Sequence, residues 1–303
     1  VNVRTIHIGS TLVPLPEDPA ARLFVLLGQP VAHSQSPRMQ AAAFADACIP
    51  ASYVACDVAP HELAGAIATL RGLSSLWGGA NVTLPHKHAA CHHVDELGPS
   101  AARAGAVNTF CAAADGRRWI GHNTDVDGVV AALAAFGTSF AKRRITVLGA
   151  GGMARAVVAA ALQQDAASIA LACRDVNRGV ALLDELERRS GRRAPSLRCT
   201  NWSAAEALVA EAQVLVHATP LGLAPGDPSP VDLARARSDL IVVEAAYGVA
   251  PTGLESAARS RALRVVSGRE LLVQQGAAAF ALWTGHTPPV EVMRHALGLE
   301  PPR

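Results

Sequence analysis

Four polar clusters in the first half of the chain supply what a small ligand with many hydroxyls needs. Gly28-Gln29-Pro30-Val31-Ala32-His33-Ser34-Gln35-Ser36-Pro37 sets the hydroxyls of Ser34 and Ser36 two residues apart at a helix start. Asn81-Val82-Thr83-Leu84-Pro85-His86-Lys87 offers an amide, a hydroxyl and an amine. Ala106-Val107-Asn108-Thr109 adds a second amide, and Gly121-His122-Asn123-Thr124-Asp125 adds a carboxylate. Each ligand hydroxyl asks for both a donor and an acceptor, and this set provides both. Lysine occurs only as Lys87 and Lys142 among 27 Lys and Arg residues. Where any cation would serve, the chain uses arginine, so a lysine inside a polar motif marks a place for a titratable amine.

A second chemistry lies further on. Gly149-Ala150-Gly151-Gly152-Met153-Ala154 fits G-x-G-x-x-A between an expected strand and an expected helix. The first glycine permits the tight turn, the second admits a pyrophosphate to the backbone, and the small Ala154 lets helix and strand approach. The helix N-terminus then presents free N–H groups to the phosphates. The next strand ends in Cys173-Arg174-Asp175, with Arg178 one turn on. Arg174 and Arg178 suit a 2′-phosphate and favour NADP, whereas Asp175 could pair with a ribose hydroxyl, which keeps NAD open.

Positioning these groups requires a particular order of elements. Residues 1–21 contain prolines, lack periodicity and read as a tail. Arg22 to Gly28 is a continuous apolar run, like a buried parallel strand. Ser36 to Ala47 reads as a helix, Tyr53 to Val58 as a strand and Pro60 to Leu70 as a helix. Trp77 to Thr83 is a short strand, and two more, Ala106 to Cys111 and Arg118 to Gly121, flank an Asp115-Gly116 turn. A helix from Asp127 to Phe136 leads to Ile145–Leu148, the glycine turn and SIALAC. The runs VLVHA, DLIVVEA and LRVVSG continue the alternation of a doubly wound parallel sheet. Glu270 to Trp283 reads as a last helix that Gly276 interrupts without ending. The fold class is α/β with two domains: a substrate domain of residues 22–126 plus 270–303, and a Rossmann-type dinucleotide domain of residues 127–269.

Composition narrows the function classes. Half of the 303 residues are apolar, enough for two cores, and the net charge is only +2 without a long run of one sign. No nucleic-acid surface, polybasic patch, signal peptide or membrane span is expected. Six cysteines without a C-x-x-C pair read as reduced thiols of a cytoplasmic protein. His86, His88, His92 and His93 invite a metal, since His88 and His92 are spaced i, i+4. No matching carboxylate or cysteine completes a site, so they read as a solvated helix face and no metal is expected. His33 and His122 read as loop-orienting residues.

The chain resembles shikimate dehydrogenases across residues 22–290. The resemblance rests on HS-x-SP at 33–37, NVT-x-PHK at 81–87, AVNT at 106–109 and G-x-NTD-x-x-G at 121–128. It continues in GAGGMAR at 149–155, ATP-x-G at 218–222 and Q-G-A-x-x-F-x-L-W-x-G from Gln275 to Gly285. It implies that the first domain binds shikimate, the second binds NADP, and the last helix returns to the first. It implies substrate contacts from Ser34, Ser36, Asn81, Thr83, Lys87, Asn108, Asp125, Tyr247 and Gln275. It implies cofactor contacts from Gly149, Ala150, Gly151, Gly152, Met153, Ala154, Cys173, Arg174, Arg178, Thr219, Ala245 and Gly268. Lys87 and Asp125 are then the catalytic pair that moves the proton when NADPH reduces 3-dehydroshikimate, with the division of acid and base between them open. A quinate/shikimate or amino-shikimate dehydrogenase, and a non-catalytic binding regulator, share the scaffold. A monomer or a homodimer is expected. The chain departs from the family pattern at His217, Glu244, Val249, Leu271 and Met39, where Asn, Asp, Pro, Met and His are usual.

Overall fold

The structure is a computed structural model that describes residues 4–73, 76–192, 196–222, 224, 226–248 and 250–300. The chain separates into two compact units. One runs to Thr124 and resumes at Val273, and the other spans Asp125–Leu272.

The first unit begins with a feature that corrects the reading of residues 1–21 as a tail. Strands β1 (Thr5–Ile8) and β2 (Thr11–Pro14) pair antiparallel as a hairpin. Ile8, Val13 and Leu15 are buried in the same core as Leu63 and Ile67. Four-residue strands are too short to show a period, so only the packing reveals them. The main sheet contains β3 (Arg22–Gly28), β4 (Ala51–Asp57), β5 (Trp77–Val82), β6 (Glu96–Leu97), β7 (Thr109–Ala112) and β8 (Trp119–His122), in the order β4-β3-β5-β7-β8-β6. Central β3 pairs parallel on both sides and is buried from Leu23 onward, which explains its unbroken apolar run. Strand β7 is antiparallel to both β5 and β8, so the sheet is mixed. Helices α1 (Ser36–Asp46), α2 (Leu63–Arg71) and α3 (Pro99–Ala104) belong to the same unit.

Helix α4 (Thr124–Ala135) leads from the first unit into the second, starting three residues earlier than the sequence reading, which places Asp125 in its first turn. The second unit continues through β9 (Arg144–Leu148), α5 (Gly152–Gln163), β10 (Ser168–Cys173), α6 (Val176–Ser190), β11 (Leu197–Asn201), α7 (Ala205–Glu211), β12 (Val214–His217), β13 (Ile241–Glu244), α8 (Gly253–Ser260) and β14 (Arg264–Val266). Every strand pair is parallel, and the order is β11-β10-β9-β12-β13-β14. The chain order therefore reverses between β9 and β12, where doubly wound sheets bind ligands. Strand β11 is absent from the sequence reading because it is a polar, half-exposed edge.

Helix α9 (Gly268–Thr284) carries the chain back to the first unit, and α10 (Val290–Ala296) follows and packs on α1. A Cβ on Gly276 would stand 2.2 Å from Met39 Cε, and Gln40 Nε2 donates to the Gly276 carbonyl at 3.0 Å. Close approach of α1, not a helix break, accounts for this glycine. Phe280 and Trp283 join Phe24 and Phe44 in an aromatic cluster. Among the described residues no helix is long and apolar enough to cross a membrane.

Candidate active site

Three of the four polar motifs meet at Asn108, just before β7, whereas among the described residues no bond links the Ser34/Ser36 motif to it. Thr124 N–H donates to Asn108 Oδ1 at 2.7 Å, and the Thr109 hydroxyl donates to the same oxygen at 2.9 Å. A backbone N–H can only donate, so the carboxamide oxygen must face Thr124. The Asn108 Nδ2 is left as the end that can donate to a ligand. The same bond satisfies an orphan N–H at the start of α4, the turn that carries Asp125. One residue earlier, Val107 N–H donates to the Lys87 carbonyl at 2.8 Å. Strand end 107–108 thus anchors both the Lys87 loop and the helix start before Asp125. Lys87 is half-buried and Asp125 is buried.

Asn81 belongs to this cluster in a different way. Tyr53 Oη donates to its Oδ1 at 2.8 Å, and its Nδ2 donates to the Asn108 carbonyl and to Thr109 Oγ1. Its amide is committed at both ends, so it braces Asn108. Tyr53 does not stand out in sequence, and Thr109 stands out only as the last residue of AVNT. Thr83 is half-buried, with its methyl group against Gly28 and its carbonyl accepting from His86 N–H. Ser36 is buried at the first position of α1, and its N–H donates to Ser34 Oγ at 3.3 Å. Gln275 is half-buried on α9, and Tyr247 is half-buried after β13.

Of the histidine cluster, His86 departs from the solvated helix face expected of it, whereas His88 and His92 are exposed. His86 is buried with Nε2 2.7 Å from the Val58 carbonyl, and residues 89–93 form a 3-10 turn. His88 and His92 lie edge to face with ring centroids 6.5 Å apart. Among the described residues no group of three or more His, Cys, Asp or Glu could hold a metal. Burial pushes His122 below its ordinary value, and its ring packs on Gly98. All six cysteines are free, and burial pushes the Cys56 and Cys111 thiols up to about 12, which makes them poor nucleophiles.

The second unit holds a cavity of about 600 Å³ at its sheet reversal. Gly149, Ala150 and Gly151 line it after β9, Cys173, Arg174, Asp175 and Arg178 after β10, and Ala218 to Leu221 after β12. Gly149 has φ +109°, and a Cβ there would meet Thr219 Cγ2 at 2.8 Å. A Cβ on Gly151 would meet no protein atom within 4 Å. Packing therefore does not require glycine at 151, whereas a phosphate approaching the backbone does. Ala154 is among the buried residues of α5. Asp175 Oδ1 accepts from Arg178 N–H at 3.0 Å and caps α6. The cap engages one carboxylate oxygen of Asp175, which also lines the cavity. Trp202, directly after β11, also lines the cavity and escaped the sequence reading with its strand. Ala245 and Gly268 adjoin each other at the ends of β13 and β14, outside the cavity lining. Val249 lies outside the described residues.

Comparison with known proteins matches both halves of this arrangement. The family model for the shikimate dehydrogenase substrate binding domain matches residues 26–110, and that for the shikimate 5'-dehydrogenase C-terminal domain matches residues 268–297. A shikimate dehydrogenase (NADP(+)) of Symbiobacterium thermophilum is 39% identical over 277 residues, covering 91% of this chain and 93% of that protein. The crystal structure of shikimate 5-dehydrogenase from Thermus thermophilus in complex with NADP(H) and shikimate is 35% identical. It superposes with TM-score 0.78 over 91% of this chain and 98% of its own. Quinate dehydrogenase from Corynebacterium glutamicum in complex with NAD is 29% identical, with TM-score 0.82 over 91% and 98%.

Proposed function

The chain belongs to the shikimate dehydrogenase family, and on that footing we propose that it catalyses the reversible NADP-dependent reduction of 3-dehydroshikimate to shikimate, a step of aromatic amino-acid biosynthesis. The observation that carries the reading is the anchoring of the Lys87 loop and of the helix start before Asp125 to one strand end, through Val107 and Asn108. NADPH supplies the hydride for the ketone carbon. The Lys87 ammonium stabilises the oxygen as it gains negative charge and, with Asp125, provides its proton. Asp125 is the carboxylate that shares the proton transfer with Lys87. Asn108 Nδ2, Ser34, Ser36, Thr83, Tyr247 and Gln275 orient the substrate hydroxyls and carboxylate, and Asn81 keeps Asn108 in register.

The residues of the second unit fit a phosphorylated dinucleotide. Gly151 leaves room for a pyrophosphate, and Arg174 and Arg178 offer charge to a 2′-phosphate, while Asp175 Oδ1 caps its helix. The presence of both Lys87 and Asp125 favours an enzyme over a binding regulator. The reading includes a cytoplasmic enzyme, monomeric or homodimeric, that uses neither nucleic acid nor membrane. Initial rates of oxidation with shikimate or quinate, each paired with NADP or NAD, test it. Shikimate with NADP is expected to give the highest kcat/KM. No turnover with any pair would reject the enzymatic reading, and faster turnover of quinate would reassign the substrate.

A further inference from the structure

The ends of β12 and β13 carry a buried polar chain that the reading above does not use. His217 and Glu244 are direct partners in the parallel register, and neither side chain has exposed surface. His217 Nδ1 stands 3.0 and 3.1 Å from Glu244 Oε1 and Oε2. Both oxygens accept other protons: Ala246 N–H donates to Oε1 at 2.9 Å, and the Thr252 hydroxyl donates to Oε2 at 2.8 Å. Glu255 N–H donates to Thr252 Oγ1 at 3.2 Å, which turns the Thr252 proton toward Glu244. A carboxylate that receives this donor set places the shared proton on Nδ1 of the imidazole.

The other ring nitrogen faces the nucleotide cavity's wall. His217 Nε2 lies 2.5 Å from Thr219 Oγ1, and Leu221 N–H donates to that oxygen at 3.2 Å. In the neutral imidazole a proton on Nδ1 leaves Nε2 its lone pair, to which the Thr219 hydroxyl donates. Thr219 lines the cavity, and its methyl group fills the space beside Gly149. A buried carboxylate contributes little to stability beyond what an apolar residue would, so stability alone does not explain the chain of bonds.

We propose that His217 and Glu244 are positioning residues for the dinucleotide: Glu244 holds His217 with its proton on Nδ1, and Nε2 pins the Thr219 hydroxyl, fixing the turn that walls the phosphate-binding glycines. This rests on the dinucleotide reading of the cavity. The test is a double-mutant cycle of Thr219→Val and His217→Asn, with NADP KM and kcat measured for each, together with Thr219→Ser. Each single change is expected to raise KM for NADP about ten-fold, the worth of one buried hydrogen bond. The double variant should rise no further, kcat should stay within about three-fold, and Thr219→Ser, which keeps the hydroxyl, should restore wild-type KM. In the unmutated enzyme with NADP, ¹⁵N spectra of labelled histidine should show His217, identified by its loss in His217→Asn, protonated on Nδ1 alone. Should His217→Asn not fold, Thr219→Val and Thr219→Ser still decide, and the His217 signal is identified by its perturbation in Thr219→Val. Additive effects, wild-type KM in Thr219→Val, or a proton on Nε2 would overturn the inference alone. Failure of the unmutated enzyme to bind NADP would overturn the dinucleotide reading and this inference with it.

Discussion

Arg174 and Asp175 sit side by side with opposite charge at the end of β10, and which of them meets the ribose sets the cofactor. Asp175 Oδ1 caps α6, and both exposed residues line the cavity, so a 2′-phosphate would fall to the arginine. Arg174→Ala should therefore raise KM for NADP by roughly 10- to 100-fold, the scale of a charge-assisted bond, and leave KM for NAD nearly unchanged. Steady-state kinetics with both cofactors checks this, and equal effects on the two would remove the assignment. The role of Asp175 was readable in principle, because an aspartate just before an amphipathic run is a helix-cap signal. The commitment of Asn81 was not, since its partners Tyr53 and Thr109 come from other strands and only the sheet register brings them to it.

At the scale of elements, α5 and α6 flank the nucleotide strands and are tied by charge. Arg155, at the end of the glycine motif, pairs with Glu185 at 2.8 Å, and Arg189 reaches the same carboxylate at 2.7 Å. The hydrogen bond from Arg155 is the main cause that holds Glu185 down at about 2 against an ordinary 4.5, with Arg189 adding to it and burial opposing. A carboxyl whose folded value is depressed contributes stability above its unfolded value and loses it as pH falls toward the folded one. Unfolding of Glu185→Gln should thus occur at lower denaturant than wild type at pH 6, and the gap should close between about pH 4.5 and about pH 2. A gap that persists unchanged at pH 2 would show that charge is not its source. The unbroken apolar run of β3 and the helix α5 behind the glycine turn were legible from their residues. The hairpin β1–β2 and edge strand β11 were not, because short or polar strands owe their form to neighbours distant in sequence.

For the molecule as a whole, the sheet reversal between β9 and β12 and the strand end at Asn108 each gather motifs that are scattered along the chain. Spacing identified the glycine turn and the polar clusters, and resemblance supplied their shared purpose. Neither showed that His217 and Glu244, two departures from the family pattern, face each other as a bonded pair. The central claim is that hydride passes from NADPH to the ketone of 3-dehydroshikimate while Lys87 serves the oxygen. The most direct measurement incubates the enzyme with 3-dehydroshikimate and NADPH carrying deuterium at both C4 positions, and follows deuterium in shikimate by mass spectrometry. Wild type is expected to place one deuterium on the new carbinol carbon, and Lys87→Ala to do so roughly 10²- to 10⁴-fold more slowly with KM little changed. Shikimate without deuterium, no shikimate at all, or a Lys87→Ala enzyme as fast as wild type would contradict the account.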